Sequence, residues 1–141
     1  MSTVVENIGR TRRRVDQRGA AVVEFAIAST VLLVVLFGII TYGYMLSFKQ
    51  GLTQAAAEGA RAGAVGSDVP SAIARSVNAF NKTCNSGGLT CTTTTAACGS
   101  HSCVTVQLSY DWKNYPLLPK FPGLGLLLPD TLTSTSVAEV N

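Results

Sequence analysis

Charged residues are scarce in this chain of 141 residues, since only 13% are Asp, Glu, Lys or Arg. That is about half the fraction usual in soluble domains. The shortage is local: between residues 20 and 48 the only acid or base is Glu24, and residues 25–46 contain no Asp, Glu, Lys, Arg or His. About 20 such residues cross the hydrocarbon core of a bilayer as a helix. The sequence therefore predicts one membrane-spanning helix at residues 20–46.

Arrangements that carry catalysis are also missing. The single histidine, His101, has no nearby Asp or Glu in the sequence to orient it as in a catalytic triad. No Gly-Lys-Ser/Thr follows the glycines, which excludes a phosphate-binding loop. Asp111 and Asp130 stand alone, so paired carboxylates for acid–base work are absent. We expect a protein without enzymatic activity, catalytic residues, metal or cofactor.

The net charge of +3 comes entirely from the N-terminal segment. Residues 1–19 hold five arginines against Glu6 and Asp16 (5 − 2 = +3), whereas the remaining six bases and six acids cancel. Cationic residues beside a membrane span remain on the cytoplasmic side. The sequence predicts an inside N-terminus, an outside C-terminus and membrane lipid as a partner, with no nucleic acid. The arginines are Arg10, Arg12, Arg13, Arg14 and Arg18.

Four cysteines, Cys84, Cys91, Cys98 and Cys103, all lie in the part expected outside. An even number of closely spaced cysteines in a small extracytoplasmic domain predicts two disulfides, with three connectivities open. A zinc site is the alternative. However, the C-x6-C-x6-C-x4-C pattern lacks the paired short spacings typical of structural zinc.

The hydrophobic pattern divides the chain into three parts. Residues 1–19 form a basic cytoplasmic leader, of which residues 1–9 are expected to be disordered. Residues 20–65 form one helix about 70 Å long, which begins near Gly19 and extends well beyond the membrane. Residues 66–141 form a small extracytoplasmic domain. The outer half of the helix carries a weakly apolar stripe at spacings of three and four, formed by Leu52, Ala55, Ala56, Ala60 and Ala64.

The last part combines helix and strands. Ser67 or Asp68 is suited to cap a second helix at residues 69–80. Residues 81–102 favour strands and turns, 103–110 alternate as a strand, and four prolines interrupt a leucine-rich loop. A β-prone run at 131–140 is expected to pair antiparallel with 103–112. The predicted fold class is α+β: a long N-terminal transmembrane helix, then a small disulfide-bonded domain with a few antiparallel strands.

Two groups of aromatic residues stand out in the sequence. Tyr42 and Tyr44 lie where aromatic rings commonly anchor a helix at the outer membrane interface. Tyr110, Trp112 and Tyr115 could bind a sugar or a surface, but aromatic residues in a strand and loop more often pack in a core. We expect structural roles for both groups.

Glu24 is the most informative polar residue, because a carboxylate near a bilayer core is costly, by up to about 3 kcal/mol at full depth. A cut after Gly19 would make Ala20 the new N-terminus and Glu24 the fifth residue. The new amine and the carboxylate would then lie about one helical turn apart. The same two charges could also neutralise each other between neighbouring subunits.

This segment resembles the processing site of type IV prepilins, and the wider stretch 18–65 is similar to the TadE-like pseudopilins of tight-adherence (Tad, or Flp-type) pilus systems. The resemblance is carried by Gly19-Ala20-Ala21-Val22-Val23-Glu24-Phe25-Ala26, then Phe37-Gly38-Ile39-Ile40, then Leu52-Thr53-Gln54-Ala55-Ala56-Ala57-Glu58-Gly59-Ala60-Arg61. Ala20 stands where many type IV pilins have Phe. The four-cysteine segment has no counterpart in the resemblance.

The resemblance implies a minor pilin or pseudopilin, cut between Gly19 and Ala20 by a prepilin peptidase, with Glu24 and Phe25 acting in assembly. The implied partners are other pseudopilins, the major Flp-type pilin and the inner-membrane assembly platform. The implied location is the bacterial inner membrane or the pilus itself, and the implied outcome is surface adherence and biofilm formation.

Other interpretations remain open at this point. The C-terminal part of roughly 90 residues leaves TadF-like relatives and isolated TadE-like proteins open as alternatives. Glu24 could reach back to the cytoplasmic interface beside Arg18 in an ordinary signal anchor. A cleavable secretory signal is less suitable, because its apolar region normally has only 7–15 residues. The functional alternative is an uncleaved membrane-anchored protein whose disulfide-rich domain binds an envelope ligand.

Overall fold

The computed structural model describes residues 5–119 and 128–140, with side chains from Gly19 onward. It contains helix α1 (Val5–Ala64), helix α2 (Val69–Val77), a 3-10 turn (Asn78–Phe80) and strands β1 (Leu89–Cys98), β2 (His101–Asp111) and β3 (Thr131–Val140). This combination confirms the predicted α+β class. The side chains of the arginine-rich leader, and Pro122 with its neighbours in the predicted leucine-rich loop, lie outside the described residues.

Helix α1 begins earlier than predicted. It starts at Val5 rather than near Gly19, so the expectation of disorder across residues 1–9 is wrong from Val5 onward. The leader is rich in arginine, a good helix former, and no proline occurs before Pro70 to interrupt the helix. From Val5 onward, the basic leader is therefore the first part of the same helix.

Helix α1 ends in a glycine-dependent cap. Gly66 adopts a positive φ of 70°, which costs glycine little because it has no Cβ. The Ser67 amide donates to the Ala62 carbonyl at 2.8 Å, and the Gly66 amide donates to the Gly63 carbonyl at 3.2 Å. This paired arrangement satisfies two of the terminal carbonyls of the helix.

The chain divides into two compact units, residues 1–40 and residues 41–141. The described part of the first unit is a single helical segment. In the second unit, the outer half of α1 forms one side of a hydrophobic core. Its predicted stripe is confirmed, since Leu52, Ala55 and Ala56 are fully buried and Ala60 is 1% exposed. The packing starts at Thr41, inside the predicted span.

Two glycines allow α1 to approach its neighbours closely. A Cβ at Gly59 would lie 2.8 Å from Cγ1 of Ile73, and a Cβ at Gly63 would lie 2.7 Å from Cγ1 of Val104. Both distances are shorter than real Cβ contacts, so any larger residue would push α1 away from α2 or from the sheet. Small residues on this face therefore set the distance between the packed layers.

Helix α2 begins where the sequence predicted. Asp68 is the N-cap and its Oδ2 accepts a hydrogen bond from the Ser71 amide at 3.1 Å. Ile73 and Val77 are buried against the core. The α-helix ends at Val77, three residues before the predicted end. The 3-10 turn that follows places Phe80 against Phe48, with ring centroids 4.9 Å apart.

The three strands form an antiparallel sheet in the order β1-β2-β3. The predicted pairing of the last run is confirmed, since Leu108 lies opposite Ser134 and Tyr110 opposite Leu132. The threonine-rich β1 completes the other side of β2, with Cys91 opposite Leu108. In β2, Val104, Val106, Leu108 and Tyr110 face the core, as expected for a strand of period two.

The aromatic residues differ in how far this packing buries them. Tyr110 is fully buried and Trp112 is 5% exposed, which confirms the core interpretation for both, while Tyr115 is 51% exposed. Tyr44 is half-buried and packs edge-to-face on Phe80, with ring centroids 6.2 Å apart. This is a structural role, and the position of Tyr44 at the membrane interface stays a prediction. Tyr42 is 54% exposed.

Candidate processing and assembly site

The predicted processing residues lie on one continuous stretch of α1. Gly19, Ala20, Glu24 and Phe25 are all helical and exposed. Ala20 and Glu24 are four residues apart, so they lie on the same face about 6 Å apart along the axis. A Cβ built at Gly19 meets nothing within 4 Å, so the helix itself does not require glycine there.

The helix around Glu24 is apolar on every side. Its large apolar side chains between Val22 and Ile40 are each between 39% and 73% exposed. A helix that is hydrophobic all round must be buried in a larger assembly or in lipid. Among the described residues, α1 from Gly19 to Ala64 is the one helix long and apolar enough to cross a membrane. This agrees with a single-pass membrane protein.

Polar groups within this apolar stretch are satisfied locally. The Ser29 hydroxyl donates to the Ala26 carbonyl at 3.0 Å, and the Thr30 hydroxyl donates to the same carbonyl at 2.8 Å. Such back-bonding removes the cost of a free hydroxyl in an apolar surrounding. Glu24 makes no ion pair in the part of the chain that the structure describes. Within the described residues, its carboxylate is thus the one acidic group of this stretch that has no partner.

The cysteines form two local disulfides. Cys84 is bonded to Cys91, with Cα atoms 5.4 Å apart, and Cys98 is bonded to Cys103, with Cα atoms 5.7 Å apart. The prediction of two disulfides is confirmed, and one of the three possible connectivities is selected. The second bridge closes the β1–β2 hairpin. The zinc alternative is wrong, because the four sulfurs are bonded in two disulfide pairs.

This connectivity can be tested by cleavage between Cys91 and Cys98. The unreduced chain is first cleaved on either side of the four cysteines, and elastase then cuts the released peptide at Ala96 or Ala97. We expect two fragments, each with its own internal bridge. Mass spectrometry without reduction checks this. Both other connectivities would keep the two fragments covalently joined, and labelling of four free thiols would refute the bridges altogether.

His101 has an acidic neighbour that the sequence did not reveal. Its Nδ1 lies 3.3 Å from Glu139 Oε1, because the antiparallel pairing places Glu139 opposite Cys103, two residues from His101. An acid therefore lies near His101 in three dimensions, although none is near it in the sequence. Both side chains are more than half exposed. The described residues contain no cluster of three or more metal-ligating side chains.

The point at which α1 enters the second unit was not predicted from the sequence. Thr41, Met45 and Phe48 are buried in the second unit. Their spacing of four and three continues upstream from Leu52, so the stripe could have been extended to Thr41. It was missed because the surrounding residues are also apolar, and a stripe cannot be seen against an apolar background.

Comparisons with known proteins agree with the apolar helix. The family model described as TadE-like protein matches residues 19–61, which is less than a third of the chain and lies entirely within α1. No curated protein and no solved structure matched the chain. The family match starts at Gly19 and includes Glu24. The predicted resemblance is therefore confirmed over this segment: residues 19–61 are similar to the TadE-like family.

Proposed function

We propose that this protein is a minor pilin or pseudopilin of a Tad (Flp-type) pilus assembly system, cut between Gly19 and Ala20 by a prepilin peptidase. The observation that carries the proposal is an exposed carboxylate, Glu24, which lies on an apolar helix five residues after Gly19 and has no ion-pair partner among the described residues. The TadE-like match over the same residues supports it. The protein would act in pilus biogenesis, surface adherence and biofilm formation.

The proposed mechanism is helix packing with charge pairing. After the cut, the amine of Ala20 is the only positive charge close to Glu24 on the helix. In an apolar bundle, an unpaired carboxylate is costly to bury, whereas a carboxylate paired with a neighbour's amine is much less so. A neighbouring helix would therefore be held at the one axial position that brings its amine to Glu24. Phe25 and the other exposed apolar residues would supply the contact area.

The proposed location is the bacterial inner membrane, with the N-terminus inside and the disulfide-bonded unit outside. Disulfides persist outside the cytoplasm, which supports this orientation. The proposed partners are the prepilin peptidase, other pseudopilins, the major Flp-type pilin and the inner-membrane assembly platform.

Processing is tested by the mass of the mature chain. In a host that contains a prepilin peptidase, the mature protein is expected to lack residues 1–19. Gly19→Val is expected to abolish this loss, because the new side chain would obstruct the peptidase while the helix has room for it. Gly43→Val is the matched control, since a Cβ at Gly43 also meets nothing within 4 Å, and it should leave processing intact.

An intact N-terminus on the wild-type protein in that host would overturn the proposal of processing. It would favour the alternative, an uncleaved membrane-anchored protein whose disulfide-bonded unit binds an envelope ligand.

A further inference from the structure

Strand β2 packs along the outer half of α1 in the antiparallel direction. Phe48, near the start of its helical segment, packs on Tyr110 with ring centroids 4.7 Å apart. Gly63, near the end of α1, faces Val104. Residue numbers therefore rise along α1 as they fall along β2. The end of β2 and the start of β3 lie at the end of the unit where the chain enters from Ile40.

The connection that leaves the sheet at this end is unusually apolar. Residues 114–129 include six leucines and one phenylalanine, with Lys120 as the only Asp, Glu, Lys, Arg or His. Within the described stems, Leu117, Leu118 and Leu128 are half-buried. Leu117 and Leu128 pack against the core, whereas Leu118 is not part of that contact.

The base of this connection is well defined. The Lys113 amide donates to the Asp130 carbonyl at 3.1 Å, and Lys113 Nζ lies 3.2 Å from Asp130 Oδ2. Asn114 donates from its side chain and its backbone to Asp111, and these bonds hold the pKa of that carboxyl below its ordinary value. The stems therefore leave the sheet in a fixed position at this end.

The connections at the opposite end of the unit, residues 64–70 and 98–101, contain no leucine. There the β1–β2 hairpin turns through Gly99 and Ser100, beside the exposed His101–Glu139 pair. An exposed ion pair occurs at both ends, since Lys113 and Asp130 form one at the base of the leucine-rich connection. The leucines are therefore the feature that distinguishes the two ends.

We propose that the end of the second unit formed by Tyr42, Leu46 and the stem residues Leu117, Leu118 and Leu128 rests on the lipid bilayer. Residues 20–40 rise about 32 Å as a helix, which matches the roughly 30 Å hydrocarbon core. Thr41 would then emerge directly into the interfacial layer, with no linker between the span and the unit. Tyr42 and Leu46 are 54% and 42% exposed, which suits a layer where apolar and polar groups mix.

We choose lipid as the partner of this surface because the second unit follows directly after the proposed membrane span in the chain. Any apolar surface at this end lies beside the membrane once residues 20–40 span it, whereas a second protein would have to enter the same narrow space. The contact would give the unit a second attachment to the bilayer besides its helix. This inference rests on the helix spanning a bilayer and does not depend on processing or on a pilus.

The test uses the full chain, with its disulfides formed, in nanodiscs of phosphatidylcholine and phosphatidylglycerol. A nitroxide is attached at Leu118→Cys, and its collision rates with oxygen and with a water-soluble nickel chelate are measured. Oxygen concentrates in lipid and the chelate in water. The ratio of oxygen to nickel collisions is expected to be several-fold higher at Leu118 than at Val65→Cys, a site 72% exposed at the other end of the unit.

Two further measurements make each outcome decisive. Val31→Cys, within the apolar stretch, should report lipid; if it reports water, the span itself is absent and the inference fails with it. Trp112 fluorescence checks that each labelled chain is folded. With a lipid signal at Val31, a water signal at Leu118 overturns the bilayer contact. Protection of Leu118 from both reagents, with spin–spin broadening, overturns it in favour of a second copy of the chain.

Discussion

Replacing Glu24 by alanine is expected to abolish assembly into a Tad-type pilus while membrane insertion survives. The carboxylate is exposed on an apolar helix, so its removal costs the isolated protein nothing and makes the helix more apolar. In an assembly, the Ala20 amine of a neighbour would be left without a partner in an apolar surrounding, at a cost of several kcal/mol. A loss of about 3 kcal/mol per contact would reduce association more than 100-fold.

The measurement is pilus yield from cells that carry only the variant, beside the amount of the protein in membranes. Glu58→Ala is the matched control, because Glu58 is an exposed carboxylate on the same helix but outside the apolar stretch. It is expected to leave assembly unchanged. Glu24→Gln, which keeps the shape and removes the charge, should behave like Glu24→Ala. Normal pili with either Glu24 variant would contradict the charge-pairing mechanism.

Truncating Phe48 to alanine is expected to destabilise the second unit by about 3–5 kcal/mol. Its side chain is fully buried and is the centre of an aromatic cluster, with ring centroids 4.9 Å from Phe80, 4.7 Å from Tyr110 and 6.2 Å from Trp112. Removing the ring leaves a cavity and ends all three contacts. The free energy of unfolding of a native protein is only about 5–15 kcal/mol, so the variant would be close to unfolding.

Unfolding of the second unit can be followed through Trp112, the only tryptophan in the chain. Denaturant titration of the full chain in micelles, monitored by its fluorescence, gives the free energy of unfolding. Val137→Ala is the control, because Val137 is 59% exposed on β3 and should change stability by no more than about 0.5 kcal/mol. Equal effects of the two substitutions would mean that α1 does not form one side of the core.

Local patterns were sufficient for much of the fold. The alternation in β2, the Asp68 cap and the stripe at Leu52–Ala60 each depend on neighbours only a few residues away, and each is found where the sequence placed it. The helix start was predicted wrongly at Gly19 because the change from basic to apolar residues was taken for a structural boundary. Backbone hydrogen bonding does not depend on such a change in polarity.

Features that depend on contacts between residues far apart in the chain could not be predicted from the sequence. The His101–Glu139 pair joins residues 38 positions apart, and only the register between β2 and β3 brings them together. Three disulfide connectivities were equally compatible with the spacing of the cysteines. The hairpin between β1 and β2 selects one by placing Cys98 and Cys103 diagonally across the turn.

The apolar helix and its single carboxylate were determined by the sequence alone, because both the length of a span and the position of Glu24 are counted along one continuous helix. Where that helix enters the folded unit was decided only by the tertiary structure. Thr41 and Met45 follow the same apolar sequence as the residues before them, and only their burial in the second unit distinguishes them. The placement of Leu117 and Leu128 at one end of the second unit and of the His101–Glu139 pair at the other likewise follows from the direction in which β2 packs along α1.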